Sequence, residues 1–226
     1  MDSLLTSLVS EEFLNPIWLS LKVATISGIL VILIGTLIGR LFARKSFKGK
    51  AIIETIMMLP IVLPPTVVGF FLIVVFGRNS FVGKIMEWLF HQPIMFTWYA
   101  AVVAASIVAF PLMYQSAKSA FQGVDKDIEA AARLDGASEC KLLLFVSIPL
   151  ASKVLITGCI LSFARALGEF GATLMFAGNI PGVTQTIPTA IYVAMESGNL
   201  TMAWLWVISI VLISFIMLLF VRVREK

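Results

Sequence analysis

Charged side chains are scarce in this 226-residue chain: Asp, Glu, Lys and Arg make up 13% of it, and hydrophobic residues 59%. A soluble domain typically carries about 25% charged residues. A water-soluble fold of this size cannot bury so much apolar surface, so the composition excludes a soluble enzyme, a secreted disulfide scaffold and a disordered protein. The sequence predicts an all-α polytopic membrane protein.

Residue types that carry chemistry are also few. The two cysteines, Cys140 and Cys159, are not expected to form a disulfide, and a single histidine, His91, excludes a metal site. A nucleotide-binding Gly-x4-Gly-Lys-[Ser/Thr] loop is missing, because Gly49-Lys50 and Gly83-Lys84 lack the upstream glycine and the hydroxyl residue. We therefore expect that the chain uses no cofactor and does not itself hydrolyse ATP, and we find no support for an intramembrane enzyme.

Five apolar stretches are each long enough to cross a bilayer, for which a helix needs about 20 residues. They span residues 16–42, 52–76, 97–117, 153–177 and 201–221. Gly, Ser, Thr and Ala recur in them, which favours close packing in a helical bundle. Segment 179–200 is rich in Pro, Gly and Thr. It is predicted to be a loop or a short re-entrant element, not a sixth span.

The distribution of Lys and Arg predicts the orientation. Loops 39–51 and 118–153, with the C-terminal tail (Arg222, Arg224 and Lys226), hold thirteen of these residues, and the opposite side holds only Arg78 and Lys84. Because basic loops stay in the cytoplasm, we expect a multi-pass cell-membrane protein with its N-terminus outside and its C-terminus inside. The first 15 residues hold no Lys or Arg, so no cleavable signal peptide is expected. The net charge of +4 reflects these loops, not nucleic-acid binding.

A short helix is predicted within the long 118–153 loop. Asp125 or Asp127 can cap its N-terminus, Glu129 lies in its first turn, and an alanine run ends at Gly136, a natural C′ residue. About two turns of helix are unstable alone in water, so this helix must pack on something. It is either a linker helix lying on the bundle or an element to which a partner docks.

The second apolar span contains Pro60, Pro64 and Pro65. These residues remove backbone donors and prevent a straight helix. In lipid the freed carbonyls need partners in protein or in a water-lined cavity, so the kink either faces a pathway or is purely structural.

Arg165 and Glu169 fall near the middle of the predicted fourth span, and at i and i+4 they can neutralise each other. Either Arg165 helps an anion through or the pair fixes helix packing. Packing is favoured, because a free cation would hold an anion too tightly and Glu169 would repel it. Glu54 and Lys22 lie near span ends and are expected to reach the interface.

The pattern Glu129-Ala130-Ala131-Ala132, then Gly136 and Ile148-Pro149, resembles the EAA loop of ABC-importer permeases. Glu129 lies one residue further from the glycine than in the commonest form of that loop. The resemblance implies a type I (MetI-like) permease fold. In that fold this loop is a coupling helix that docks into a groove of a cytoplasmic ATPase.

Two further runs resemble the molybdate and sulfate permeases of this group: 59–69, rich in proline, and 163–173, with its Arg165-x-x-Gly168-Glu169 core. Residues 177–188 are more similar to molybdate members. The resemblance implies a single permease domain, 1–226, that translocates molybdate, with tungstate fitting the same site. It also implies a homodimer, a cytoplasmic ABC ATPase dimer and an extracytoplasmic molybdate-binding protein.

Two alternatives stay open at this point. The first is a sulfate or thiosulfate permease, which shares the Arg165-x-x-Gly168-Glu169 core. The second is an ion-coupled secondary transporter or a channel, which would need no ATPase.

Overall fold

The computed structural model describes residues 10–224, with side chains from 10 to 219. The predicted basic tail therefore lies largely beyond it: Lys226 is outside the described residues, as are the side chains of Arg222 and Arg224. Within the described range every regular element is helical. This agrees with the all-α prediction.

The long helices form a bundle, and shorter helices connect them. In chain order the elements are α1 (Glu11–Arg44), α2 (Lys50–Val62), α3 (Pro65–Phe76), α4 (Phe81–Phe90), α5 (Trp98–Gln122), α6 (Lys126–Leu134), α7 (Glu139–Leu142), a π-helical turn (Leu143–Ser147), α8 (Ile148–Leu167), α9 (Gly171–Ala177), α10 (Ile187–Glu196) and α11 (Leu200–Arg224).

In the described part of the chain, four segments are long and apolar enough to cross a membrane, and a bent pair of helices gives a fifth. The four are Glu11–Arg44, Trp98–Gln122, Glu139–Leu167 and Leu200–Leu219. The prediction of about five spans is confirmed. The fourth span is shifted, however: its helix begins well before residue 153 and ends at Leu167, because Gly168 and Gly171 interrupt it.

Small residues let α5 pack closely against α1 and α8. A Cβ added at Gly39 of α1 would lie 2.6 Å from the Cβ of Ala117, and one at Gly158 of α8 would lie 2.5 Å from the Cβ of Ser116. The alanines of α5 are mostly buried there. Since lipid is as apolar as these side chains, close van der Waals contact is what holds the three helices together.

The second apolar stretch of the sequence forms two helices. The chain breaks at Leu63 and Pro64, and the axes of α2 and α3 differ in direction by 118°. Pro65 occupies the first turn of α3, where its missing N–H costs nothing. The proline-rich run therefore ends one helix and starts another, a stronger effect than the kink expected from the sequence.

Segment 179–200 contains α10, whose ten residues are too few to cross a bilayer. The backbone N–H of Ile187 donates a 2.7 Å hydrogen bond to the hydroxyl of Ser20 on α1, which anchors the start of α10 to the bundle. The prediction that this segment is not a sixth span holds.

Candidate coupling and translocation sites

Helix α6 forms as its sequence predicts. The Asp125 side chain accepts a 2.8 Å hydrogen bond from the backbone N–H of Asp127 and caps the N-terminus. At the other end Gly136 has a φ of +88°, its N–H donates to the Arg133 carbonyl, and the N–H of Ala137 donates to the Ala132 carbonyl. This pair of bonds is a Schellman motif, in which glycine supplies the left-handed residue.

Glu129 points into the protein, not toward solvent. Its side chain is only 3% exposed, its Oε1 lies 3.0 Å from Nη2 of Arg44, and it accepts a 2.7 Å hydrogen bond from the Ser147 hydroxyl. Burial acts to raise the pKa of Glu129. The Ser147 hydrogen bond and the Arg44 guanidinium outweigh burial, so the pKa is held below its ordinary value.

These contacts join three elements. Arg44 is the last residue of α1, and its guanidinium also donates a 3.1 Å hydrogen bond to the carbonyl of Val124, just before α6. Ser147 ends the π-helical turn that leads into α8. Glu129 therefore ties α6 to the ends of two long helices. The carboxylate is buried and holds the loop against the bundle.

The outer face of α6 is exposed, in contrast to the buried Glu129. Ala130 and Ala131 are exposed, Ile128 is exposed, and Leu134 is 90% exposed. These are apolar side chains on a helix that is otherwise polar. Ile148 and Pro149 begin α8 behind this helix, with Ile148 half-buried and Pro149 exposed.

Arg165 and Glu169 form the ion pair that their spacing predicts, with Nη1 and Oε2 2.8 Å apart. Their position differs from the expectation: Arg165 lies in the last turn of α8, and Glu169 lies beyond the helix end at Gly168. The other carboxylate oxygen of Glu169 accepts a 2.8 Å hydrogen bond from the N–H of Ala172 in α9. The side chain of Glu169 is 1% exposed. Because its two oxygens contact Arg165 in α8 and Ala172 in α9, the carboxylate bridges the two halves of a broken helix.

The two breaks lie side by side. A Cβ added at Gly171, the first residue of α9, would meet the Cβ of Pro65 at 2.8 Å, and one at Gly69 would meet the Cβ of Met175 at 2.6 Å. The structure thus brings the proline run and the Arg165–Glu169 segment together through α3 and α9. Pro64 supplies the extended residue that precedes α3, with φ −54° and ψ 137°.

Pro60 lines a different feature, a cavity of about 330 Å³ between α1, α2 and α5. Its walls are apolar apart from Ser106. No Lys or Arg of the described chain lines it. Because nothing there compensates negative charge, this cavity does not suit a resting dianion.

One charged cluster was not anticipated. Glu54 of α2 was expected to reach the interface, but its Oε1 lies 2.6 Å from Nζ of Lys118 and accepts a 3.0 Å hydrogen bond from the Tyr114 hydroxyl. None of the residues of α2, all of which the structure describes, is fully buried. These polar contacts therefore fix α2 against α5. The only sequence signal was a carboxylate inside an apolar run. Lys22, also expected to reach the interface, lies over the ring of Trp98 at 3.7 Å.

Comparison of the sequence with known proteins identifies its family. Residues 31–226 match the model of the binding-protein-dependent transport system inner membrane component. The chain belongs to this family. It is therefore a permease subunit of a binding-protein-dependent ABC importer and a multi-pass protein of the cytoplasmic membrane.

Curated relatives resemble this permease over nearly its whole length. YvgM of Bacillus subtilis (strain 168), provisionally named a molybdenum transport system permease protein, is 60% identical, covering 100% of this chain and 99% of its own. The molybdenum transport system permease protein ModB of Escherichia coli (strain K12) is 41% identical, covering 88% and 89%. A protein of Prototheca wickerhamii, provisionally named the sulfate transport system permease protein cysT, is 33% identical, covering 83% and 75%.

Solved structures support the MetI-like fold. The MetNI methionine ABC transporter in an inward-facing conformation matches with a TM-score of 0.69 at 16% identity, covering 93% of each chain. A bacterial ABC transporter for alginate matches with a TM-score of 0.76 at 14% identity, covering 97% of this permease and 81% of that chain. At such low identity these matches concern the fold alone.

Proposed function

We propose that this permease translocates molybdate, with tungstate accepted at the same site, as the membrane-spanning subunit of an ATP-driven importer. The observation that carries the proposal is the 60% identity to YvgM over 100% of this chain and 99% of that protein, joined by 41% identity to ModB. The relative named for sulfate is less similar, at 33% identity. Under this proposal, residues 1–226 form a single permease domain.

The proposed orientation places the N-terminus outside and the C-terminus in the cytoplasm. The contact between Arg44 and Glu129 supports this arrangement, because it puts the basic 39–51 loop and the basic 118–153 loop at the same end of the bundle. Thirteen Lys and Arg residues on one side then satisfy the positive-inside rule. The break between α8 and α9 and the segment around α10 lie toward the outer end.

The proposed coupling element is α6, with two kinds of residue on it. Glu129 positions the helix through Arg44 and Ser147, while Ala130, Ala131 and Ala132 allow close approach of an ATPase groove. The exposed side chain of Leu134 is then covered by the ATPase. Gly136 turns the chain back toward α8, where Ile148-Pro149 continues the path to the membrane.

The proposed pathway lies where two copies of the chain meet. A bundle of about five spans is too small to enclose a route for an anion, so a two-fold homodimer is expected. Pro60, Pro64 and Pro65 shape the broken helix beside this route, and the Arg165–Gly168–Glu169 segment packs against it. The described side chains form no dense ring of cations, which fits a low-affinity conduit served by an extracytoplasmic molybdate-binding protein.

A deletion strain separates molybdate from its main alternative, a sulfate or thiosulfate permease. Removal of the gene should abolish the activity of molybdenum-dependent enzymes at low external molybdate and leave growth on sulfate unchanged. Excess molybdate should restore the enzyme activity. Loss of growth on sulfate, with normal molybdenum-dependent activity, would refute the molybdate assignment while leaving the permease family unaffected.

A further inference from the structure

A basic pocket of about 550 Å³ opens beside the end of α1, facing α6 and α7. It is separate from the apolar cavity and from the broken helices. Four cations line it, together with one carboxylate, one cysteine and three leucines: Arg40, Arg44, Lys45, Arg133, Glu139, Cys140, Leu37, Leu41 and Leu143. We call it the basic pocket below.

The charges around the basic pocket do not balance. Glu139 is engaged by Arg133, with Arg133 Nε 2.6 Å from Oε1 and Nη2 3.2 Å from Oε2. The same carboxylate reaches Nη2 of Arg40 only at 3.7 Å. Arg44 is paired with Glu129. Four cations thus face two carboxylates, which leaves an excess of two positive charges.

Two guanidinium donors beside the pocket have no acceptor. Nη1 of Arg40 and Nε of Arg44 are buried, and neither finds a hydrogen-bond partner among the described residues. The Arg40 side chain is only 15% exposed, so water does not readily compensate it. A buried charged donor left unpaired is costly, and such groups in native proteins normally have a partner. Because both nitrogens are buried, an anion in the pocket reaches them when the two side chains turn toward it.

We infer that the basic pocket binds a phosphate group or an oxyanion of similar size and charge. Arg40 and Arg44 lie one helical turn apart on α1 and present planar guanidinium groups, which suit the tetrahedral oxygens of such an anion. The source is either the headgroup of an anionic phospholipid or a free cytosolic anion. The leucines of α1 beside the pocket, Leu37 and Leu41, are exposed, and they suit the acyl chains of a phospholipid.

The pocket carries its own reporter, the exposed thiol of Cys140. The full-length chain, with Cys159 replaced by alanine, is reconstituted in nanodiscs of phosphatidylcholine or of phosphatidylcholine with phosphatidylglycerol. The maleimide labelling rate of Cys140 is then measured. Occupancy of the pocket should slow labelling, and Arg40→Gln should weaken the anion's affinity about fivefold, as expected for one cation near a membrane surface.

Two further variants separate the pocket from general surface charge. Lys48→Gln removes an exposed cation of the same loop that does not line the pocket, and it should keep full protection. Lys45→Gln removes an exposed cation that does line it, so it should reduce protection even if Arg40→Gln fails to fold. Equal loss of protection in Lys48→Gln and Lys45→Gln would overturn the assignment to this pocket.

A second set of nanodiscs identifies the source. Phosphate or molybdate is added to phosphatidylcholine nanodiscs at constant ionic strength. Protection by phosphatidylglycerol alone assigns a lipid headgroup, and protection by the added anion assigns a free oxyanion. If neither slows labelling in the parent chain, or if only a bound ATPase does so, the inference is wrong. Because transport is not measured, failure here leaves the proposed function standing.

Discussion

The hydroxyl of Ser147 donates a 2.7 Å hydrogen bond to the carboxylate of Glu129, eighteen residues earlier in the chain. Arg44 approaches the same oxygen to 3.0 Å from the end of α1. A single buried carboxylate thus holds α6 to the end of α1 and to the π-helical turn that leads into α8. Under the proposed function, force from the ATPase on the outer face of α6 would reach α1 and α8 through this contact.

Glu129→Gln should weaken the contact that holds α6 to the end of α1. The amide can still accept from Ser147, but Arg44 loses its countercharge, at a cost of up to roughly 3–5 kcal/mol, the range for breaking a buried pair. If uptake requires α6 in its docked position, uptake should fall at least about tenfold, because about 1.4 kcal/mol shifts that docking equilibrium tenfold. Membrane insertion, followed by immunoblotting of membranes, should persist. Glu139→Gln, which removes an exposed carboxylate, is the matched control; equal uptake in the two variants would contradict this role.

The low pKa of Glu129 predicts how stability changes with pH. Because its folded-state pKa lies below the value in the unfolded chain, the carboxylate stabilises the fold above an unfolded pKa of about 4.3. That contribution is lost as pH falls through the folded pKa. The difference in thermal midpoint between the parent chain and Glu129→Gln in nanodiscs should be constant near neutral pH and shrink below about pH 4.3. A difference that stays the same down to the folded pKa and beyond would count against the ion pair.

Gly136→Val should abolish uptake while leaving insertion intact. A steric clash is not the cause of this loss, because a Cβ at this position meets nothing within 4 Å. The φ of +88° is the reason, since a β-branched residue held there costs about 1–3 kcal/mol. Gly136→Asn tolerates the left-handed region and should keep most of the uptake. Gly198→Val introduces the same kind of strain far from α6, at φ +76°, and should spare coupling. Normal uptake in Gly136→Val would show that α6 is not the coupling element.

Comparing variants that neutralise Arg165 alone or both residues shows whether the Arg165–Glu169 pair fixes helix packing or acts on the anion. If the pair fixes packing, Arg165→Gln leaves the buried carboxylate of Glu169 unpaired and should lower both stability and uptake. Adding Glu169→Gln should then recover much of both, because the amide can still accept from Ala172. A double variant that is stable but as inactive as Arg165→Gln would show that Arg165 acts on the anion.

Local signals in the sequence predicted the start and end of α6 correctly. They could not predict contacts between segments that are distant in the chain. Asp125 and Gly136 are cap residues whose preferences act within a turn, and both lie where expected. The partners of Glu129 on α1 and α8 depend on how the bundle packs, which no local pattern encodes. The end of α8 at Gly168 was missed because the apolar run continues through Gly171, and hydropathy does not register a helix break.

The ion pair of Glu54 and Lys118 illustrates the same limit. Each residue is separately typical of a side chain near a span end, and only the packing of α2 on α5 brings them to 2.6 Å. The proline run did carry a readable signal. It indicated a bend, although the run alone does not give its size of 118°.

Transport by the reconstituted importer tests the central claim most directly, namely that this permease is a conduit driven by an ATPase at α6. Molybdate uptake is measured in proteoliposomes that contain the permease, its ATPase, the binding protein and internal ATP, and in matched vesicles without the ATPase. We predict ATP-dependent uptake in the complete system and only background leak in the other. Rapid uptake by the permease alone would contradict the account and favour an ion-coupled transporter or a channel.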